Sequence, residues 1–213
     1  MAELIRGLQA PVIARNLDRI RSEVGDGVQI LAAVKYVATE ELGTLAEAGV
    51  TLVGENRAQA LAEKHDALGD DFTWDFIGHL QSRKVKDVLP LVRLVHSVGS
   101  ASALAQVVRH GGGEATVLLE VNVAEEDSKS GMMPADLPGA LDTAGEGGVT
   151  VSGLMTMPPL VSDPEDSRRW FAALAQLSAD YGLRELSMGT SQDYAVAAQE
   201  GATIVRIGAS LFR

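Results

Sequence analysis

The chain has 213 residues, no cysteine, 46% hydrophobic content, and 29 acidic against 18 basic side chains for a net charge of −11. These values fit a folded globular chain with one substantial core and exclude disulfides, thiolate nucleophiles and cysteine-ligated metal. The negative balance sets nucleic acid and anionic membrane aside as partners, so an anionic ligand needs a local site.

His65, His79, His96 and His110 show no close ligand spacing, and no metal site is expected. No run of eighteen apolar residues occurs, and the first twenty residues lack the apolar centre of a signal peptide. A cytoplasmic protein is expected.

Leu4, Ile5, Leu8, Val12, Ile13, Leu17 and Ile20 recur at helical spacing and predict a first helix over residues 2–22, bent or split at Pro11. A buried strand follows over 30–34 and ends on Lys35. Thr39 reads as the N-cap of a helix reaching residue 48, with Glu40 and Glu41 in its first turn and Gly49 at its end. The pattern then repeats, with strands predicted at 51–53, 72–77, 91–96, 115–121, 149–155, 185–187 and 203–207. Helices are expected between them, at 58–68, up to about 88, 101–110, after the polar loop 124–134, and at 164–181 and 192–200.

Eight strands alternating with helices predict a parallel sheet. Eight units predict closure into a single-domain (β/α)8 barrel over residues 1–213, with an open doubly wound sheet as the alternative. The chain stops six residues past the eighth strand, too soon for a last outer helix. The extra amino-terminal helix is expected to cover that flank.

In such barrels the working groups gather at the carboxyl ends of the strands. Those ends carry Lys35, Asn56, His79, Ser97, Asn122, Met155, Thr156, Ser187, Ser191, Arg206 and Gly208. A lysine closing a strand is commonly just reaching water, and polar residues at helix starts are commonly caps, Ser191 included. The segments SMGTSQDY at 187–194 and VRIGAS at 205–210 are more specific, because loops seven and eight of this barrel usually bind phosphate. A phosphate site beside a strand-end amine suits a phosphorylated aldehyde held as a Schiff base, and pyridoxal 5′-phosphate meets both demands. Arg206 would approach the pyridine nitrogen and, as a permanent cation, disfavour its protonation, leaving a weaker electron sink.

The motifs AAVK (32–35), VGENRAQ (53–59), FIGHLQSRK (76–84), HSV (96–98), LEVNV (119–123), GLMTM (153–157), LSMGTSQD (186–193) and VRIGASLF (205–212) resemble, in order, those of the pyridoxal phosphate homeostasis proteins, the YggS/PROSC family. The resemblance spans nearly the whole chain. It implies a barrel like the amino-terminal domain of alanine racemase, the cofactor on Lys35, and a part in vitamin B6 balance with no established catalysis. It further implies phosphate contacts from Ser191, Gly208 and the backbone near Ala209, with Arg206 facing the ring and Asn56 and His79 lining the pocket. Thr190 stands where methionine is commoner, and Arg213 where glycine often follows phenylalanine.

The expected role is that of a carrier or regulator; an amino-acid racemase and a ligand-free interaction barrel are the alternatives. Racemisation needs proton donors on both faces of the cofactor. Only Tyr36, Tyr181 and Tyr194 are present, and Tyr36 is expected to point away from Lys35 along the strand. The partners implied are pyridoxal phosphate and, as a class, client enzymes that use it, with a monomeric chain. Lys129 is read as a solvated loop lysine, with a transient second amine as the functional alternative.

Overall fold

Apolar runs of four to six residues pair into eight parallel strands, in a computed structural model that describes residues 4–126 and 129–213. The strands are β1 (Gln29–Ala33), β2 (Leu52–Glu55), β3 (Thr73–Phe76), β4 (Leu94–Val98), β5 (Thr116–Glu120), β6 (Thr150–Met155), β7 (Glu185–Thr190) and β8 (Ile204–Ile207). Each pairs with the next in sequence, and β8 pairs back to β1, closing the barrel. The alternative of an open sheet is thereby removed.

Nine helices surround the strands among the described residues: α1 (Ala10–Val24), α2 (Leu42–Glu47), α3 (Ala58–Leu68), α4 (Val85–Val88), α5 (Ala101–Gly111), α6 (Leu137–Glu146), α7 (Arg168–Asp180), α8 (Tyr194–Gln199) and α9 (Ala209–Phe212). Side chains alternate along each strand, which splits the core in two. Leu31, Leu52, Leu94, Leu118, Met155 and Ile204 form a small apolar cluster apart from the larger one that includes Ile13, Leu17, Val53, Leu104 and Phe171. Each fully buried aliphatic side chain contributes about 1.5–3 kcal/mol of transfer free energy, so the larger cluster dominates stability.

Several expected boundaries move. The first helix begins at Ala10, and Pro11 opens it, because a first-turn residue needs no N–H partner. Ahead of it, Ile5 bridges to Val37 in parallel and donates its N–H to the Tyr36 carbonyl at 2.6 Å. Residues 2 and 3 of the expected helix lie outside the described residues. As expected, α1 covers the flank beside the chain's end: Asn16 Nδ2 donates to the carbonyls of Leu211 at 3.1 Å and Arg213 at 2.9 Å.

Thr39 opens a 3-10 turn, Thr39–Glu41, with Ala38 ahead of it, so Thr39 is not a cap. Another 3-10 turn, Leu89–Leu91, shifts β4 towards the carboxyl end and places His96 in mid-strand. Strand β7 runs three residues past its expected end, with a register shift against β8 between Ser187 and Thr190. Gly189 supplies that irregularity at φ 89°, where a Cβ would lie 2.5 Å from the Ala197 Cβ, so a side chain is excluded there.

Candidate functional site

A cavity of about 740 Å3 opens at the carboxyl ends of the strands, within the size range of small-molecule sites. Lys35, Asn56, His79, Ser191, Arg206, Gly208 and Ala209 all line it. Tyr36, Ser97, Glu120, Lys129, Met155 and Met157 line it as well.

Lys35 lies two residues beyond β1, in a turn closed by the Val37 N–H on the Val34 carbonyl at 3.0 Å. The strand's alternation therefore ends before Tyr36, and the expected opposite direction of these two side chains is wrong. Lys35 Nζ sits 4.8 Å from the centre of the Tyr36 ring, a cation–π geometry, and both line the cavity. Asn56 follows β2, and its Oδ1 is buried with no hydrogen-bond partner among the described residues. Gly78 lets the neighbouring loop approach, since a Cβ there would fall 1.9 Å from the Asn56 carbonyl oxygen.

Ser191 does not cap a helix through its side chain. Its Oγ accepts the N–H of Gly208 at 3.1 Å and of Ser210 at 3.3 Å, joining the loops after β7 and β8. With both lone pairs engaged, the hydroxyl hydrogen is left to donate elsewhere. Asp193 fixes the same loop by accepting from the Thr190 N–H at 2.7 Å and hydroxyl at 3.1 Å. A turn held in this way, with a hydroxyl left to donate at the cavity wall, is suited to an anion.

Arg206 is buried, and burial pushes its pKa down to about 10, against opposing pulls from Glu120 and Asp193. Its guanidinium donates to neutral acceptors: the Ser187 carbonyl (2.7 Å) and Oγ (2.6 Å), the Thr156 carbonyl (2.9 Å) and Met157 Sδ (2.9 Å). Ser187 Oγ lies 2.8 Å from His96 Nδ1, and His96 Nε2 lies 3.0 Å from Asp75 Oδ2. Arg93 completes the line with two bonds to Asp75, at 3.0 and 2.6 Å. A hydrogen-bonded chain thus runs through the barrel from Arg93 to the cavity.

Sequence reasoning missed Glu120, Tyr36, and the Asp75–His96 pair. Strand alternation was the available signal for Glu120, which sits one period beyond the inward-facing Leu118. Nothing local marks Asp75, whose partners stand 18 and 21 residues away. Lys129 lines the cavity wall, although part of its loop, residues 127–128, lies outside the described residues. No group of three or more potential metal-binding side chains is found among the described residues, and none of the described helices is long and apolar enough to cross a membrane.

Residues 9–213 match the family model described as alanine racemase, N-terminal domain. The chain is 38% identical to the pyridoxal phosphate homeostasis protein of Aquifex aeolicus, covering 94% of this chain and 95% of that one. It is 36% identical to the protein of the same name from Deinococcus radiodurans, covering 96% and 100%. Among solved structures it is similar to PipY of Synechococcus elongatus, at 32% identity and TM-score 0.87 without pyridoxal phosphate and 31% and 0.83 with it bound. Either comparison covers 94% of this chain and 100% of PipY.

Proposed function

Because the chain belongs to the pyridoxal phosphate homeostasis family, built on the alanine racemase N-terminal domain, we propose that it binds pyridoxal 5′-phosphate as an imine on Lys35 and acts as a carrier or regulator of that cofactor. The observation that carries this reading is the meeting, in one cavity, of an amine, an anion-suited turn and a buried guanidinium drawn from both ends of the chain. When bound, the cofactor supplies a reactive aldehyde and an electron-withdrawing ring.

Each of these residues has a part that follows from its surroundings. Lys35 supplies the nitrogen of the imine. Ser191 donates its hydroxyl hydrogen to the phosphate, with Gly208, whose N–H is held by Ser191 Oγ, and the backbone near Ala209 beside it. Arg206 presents a cation to the ring nitrogen and keeps a proton off it, which suits storage more than carbanion chemistry. Asn56 and His79 line the cavity wall.

The racemase reading is disfavoured by geometry. Tyr36 does share the cavity, but the Lys35 amine sits over its ring, so the two are neighbours and not donors on opposite faces. Recipient enzymes, a monomeric state and a cytoplasmic setting belong to the same proposal.

The test is the visible spectrum of the wild type and Lys35→Ala with added pyridoxal phosphate, before and after borohydride, followed by peptide mapping. A reduced adduct on Lys35 that disappears in the variant is the expected result. A wild type that stays colourless at saturating cofactor would sink the reading. An adduct on Lys129 in Lys35→Ala would identify the second amine, and an unmodified Lys129 would return it to an ordinary loop role.

A further inference from the structure

Beneath the Lys35 turn lies an ion pair that takes no part in the cavity wall. Glu55 ends β2 facing away from the barrel interior, and Lys64 reaches inward from α3 to meet it; they are 0% and 4% exposed. Lys64 Nζ donates to Glu55 Oε2 at 2.6 Å and to the Val34 carbonyl at 2.6 Å. The other carboxylate oxygen, Oε1, accepts the N–H groups of Asn56 at 2.7 Å and Arg57 at 3.2 Å. The Val34 N–H is in turn held by the Gly54 carbonyl at 2.9 Å.

The Val34 carbonyl belongs to the same rigid peptide unit as the Lys35 nitrogen. Holding that oxygen fixes the plane from which the Lys35 side chain departs, and the same carboxylate fixes the turn carrying Asn56. Lysine and glutamate seldom lie fully buried, and a buried ion pair is a poor source of net stability compared with apolar residues of the same volume. What this pair provides that an apolar pair does not is a directed bond to one carbonyl.

We propose that Lys64 and Glu55 are positioning residues for the imine lysine, a proposal that rests on the reading of Lys35 given above. Imine formation joins Lys35 nitrogen to the aldehyde carbon and expels the aldehyde oxygen as water with the two amine hydrogens; nothing is oxidised or reduced. The step requires the nitrogen within attacking distance of that carbon, and a misplacement of about 1 Å costs up to about 100-fold. The clasp acts on this step, while the phosphate contacts and the approach of Arg206 to the ring come from β7, β8 and their loops.

The test uses Glu55→Gln/Lys64→Met, which removes both charges at nearly constant volume and leaves an amide oxygen to accept the Asn56 N–H. Lys64→Arg is the conservative counterpart. Each is compared with the wild type for binding of pyridoxal phosphate and of 4-deoxypyridoxine phosphate, which keeps the ring and phosphate but lacks the aldehyde. The expected result is pyridoxal phosphate weakened about tenfold or more in the double variant, the deoxy ligand unchanged within about twofold, and recovery in Lys64→Arg. Equal loss of both ligands would mean a merely structural pair and overturn the proposal, as would unchanged affinity for both. Should the double variant fail to fold, the ratio of the two affinities in the single variant Lys64→Met, which removes the bond to the Val34 carbonyl, decides: a shift in that ratio supports positioning, and an unchanged ratio overturns it. A wild type that binds the deoxy ligand yet forms no Lys35 adduct removes the imine reading itself, a failure visible without any variant.

Discussion

His96 is shut off from solvent between charged neighbours, and its proton inventory follows from them. Burial lowers its pKa below the ordinary imidazole value of 6.5; Asp75 opposes this, while Arg206 and Arg93 add to it. The ring is therefore neutral, and since a carboxylate only accepts, the one N–H sits on Nε2 facing Asp75. Nδ1 is then an acceptor for the Ser187 hydroxyl, and the Ser187 oxygen is free to accept from Arg206, so one tautomer lets all three groups bond at once. The linkage sign is fixed by the lowered pKa: this contribution is fully present above pH 6.5 and is lost as pH falls from there through the folded-state value, because the unfolded chain takes the proton first. Gln in place of His96 keeps hydrogen-bonding capacity without titrating. The stability advantage of wild type over His96→Gln in urea is expected to shrink between about pH 8 and about pH 5. An advantage that stays constant across that range would show that His96 does not titrate on unfolding.

Secondary elements were legible wherever a period was long enough to be read, and misplaced where a non-local contact set the boundary. The apolar runs of β1, β5 and β6 and the amphipathic faces of α5 and α7 announced themselves in order, which sufficed for the closed barrel. The start of α1 did not, because Leu4, Ile5 and Leu8 continue its apolar spacing while the backbone there is engaged by the Lys35 turn and by Glu41, whose carboxylate accepts the N–H groups of Gly7 and Leu8. The same limit applied at the site. Its strand-end polar residues were readable from topology, but the direction of Tyr36 depended on where β1 stops, and the Glu55–Lys64 pair on how α3 lies against β2. Packing of α1 is itself specified by polar contacts: the Tyr194 hydroxyl donates to Glu23 at 2.5 Å and accepts from Arg19 at 3.0 Å, tying α1 to α8. Arg19 and Glu23 are partly open to water, so the clasp is screened and worth less than a buried charge-assisted bond. Tyr194→Phe is expected to lower stability by about 1 kcal/mol in urea denaturation. A loss under about 0.3 kcal/mol would mean that apolar packing alone seats α1.

For the molecule as a whole, a net charge of −11 surrounds a cavity whose wall carries Lys35, Lys129, Arg206 and Arg213 against Glu120. These two fields act at different ranges. Treated as a sphere of about 20 Å radius, the protein repels a doubly negative phosphate ligand at its surface by about 5 kcal/mol without salt, and by about 1 kcal/mol with the roughly 8 Å screening length of physiological salt. Inside the cavity the cations stand within one screening length of the ligand, so salt weakens their attraction far less. Approach is thus governed by the global charge and retention by the local one. The association rate of pyridoxal phosphate, followed by stopped-flow absorbance, is expected to rise severalfold between about 10 mM and about 150 mM salt, while the dissociation rate changes by less than about twofold. A rate that falls with salt would show that the cavity's cations reach beyond its mouth and steer the ligand in. The acidic surface would then be irrelevant to how the site fills.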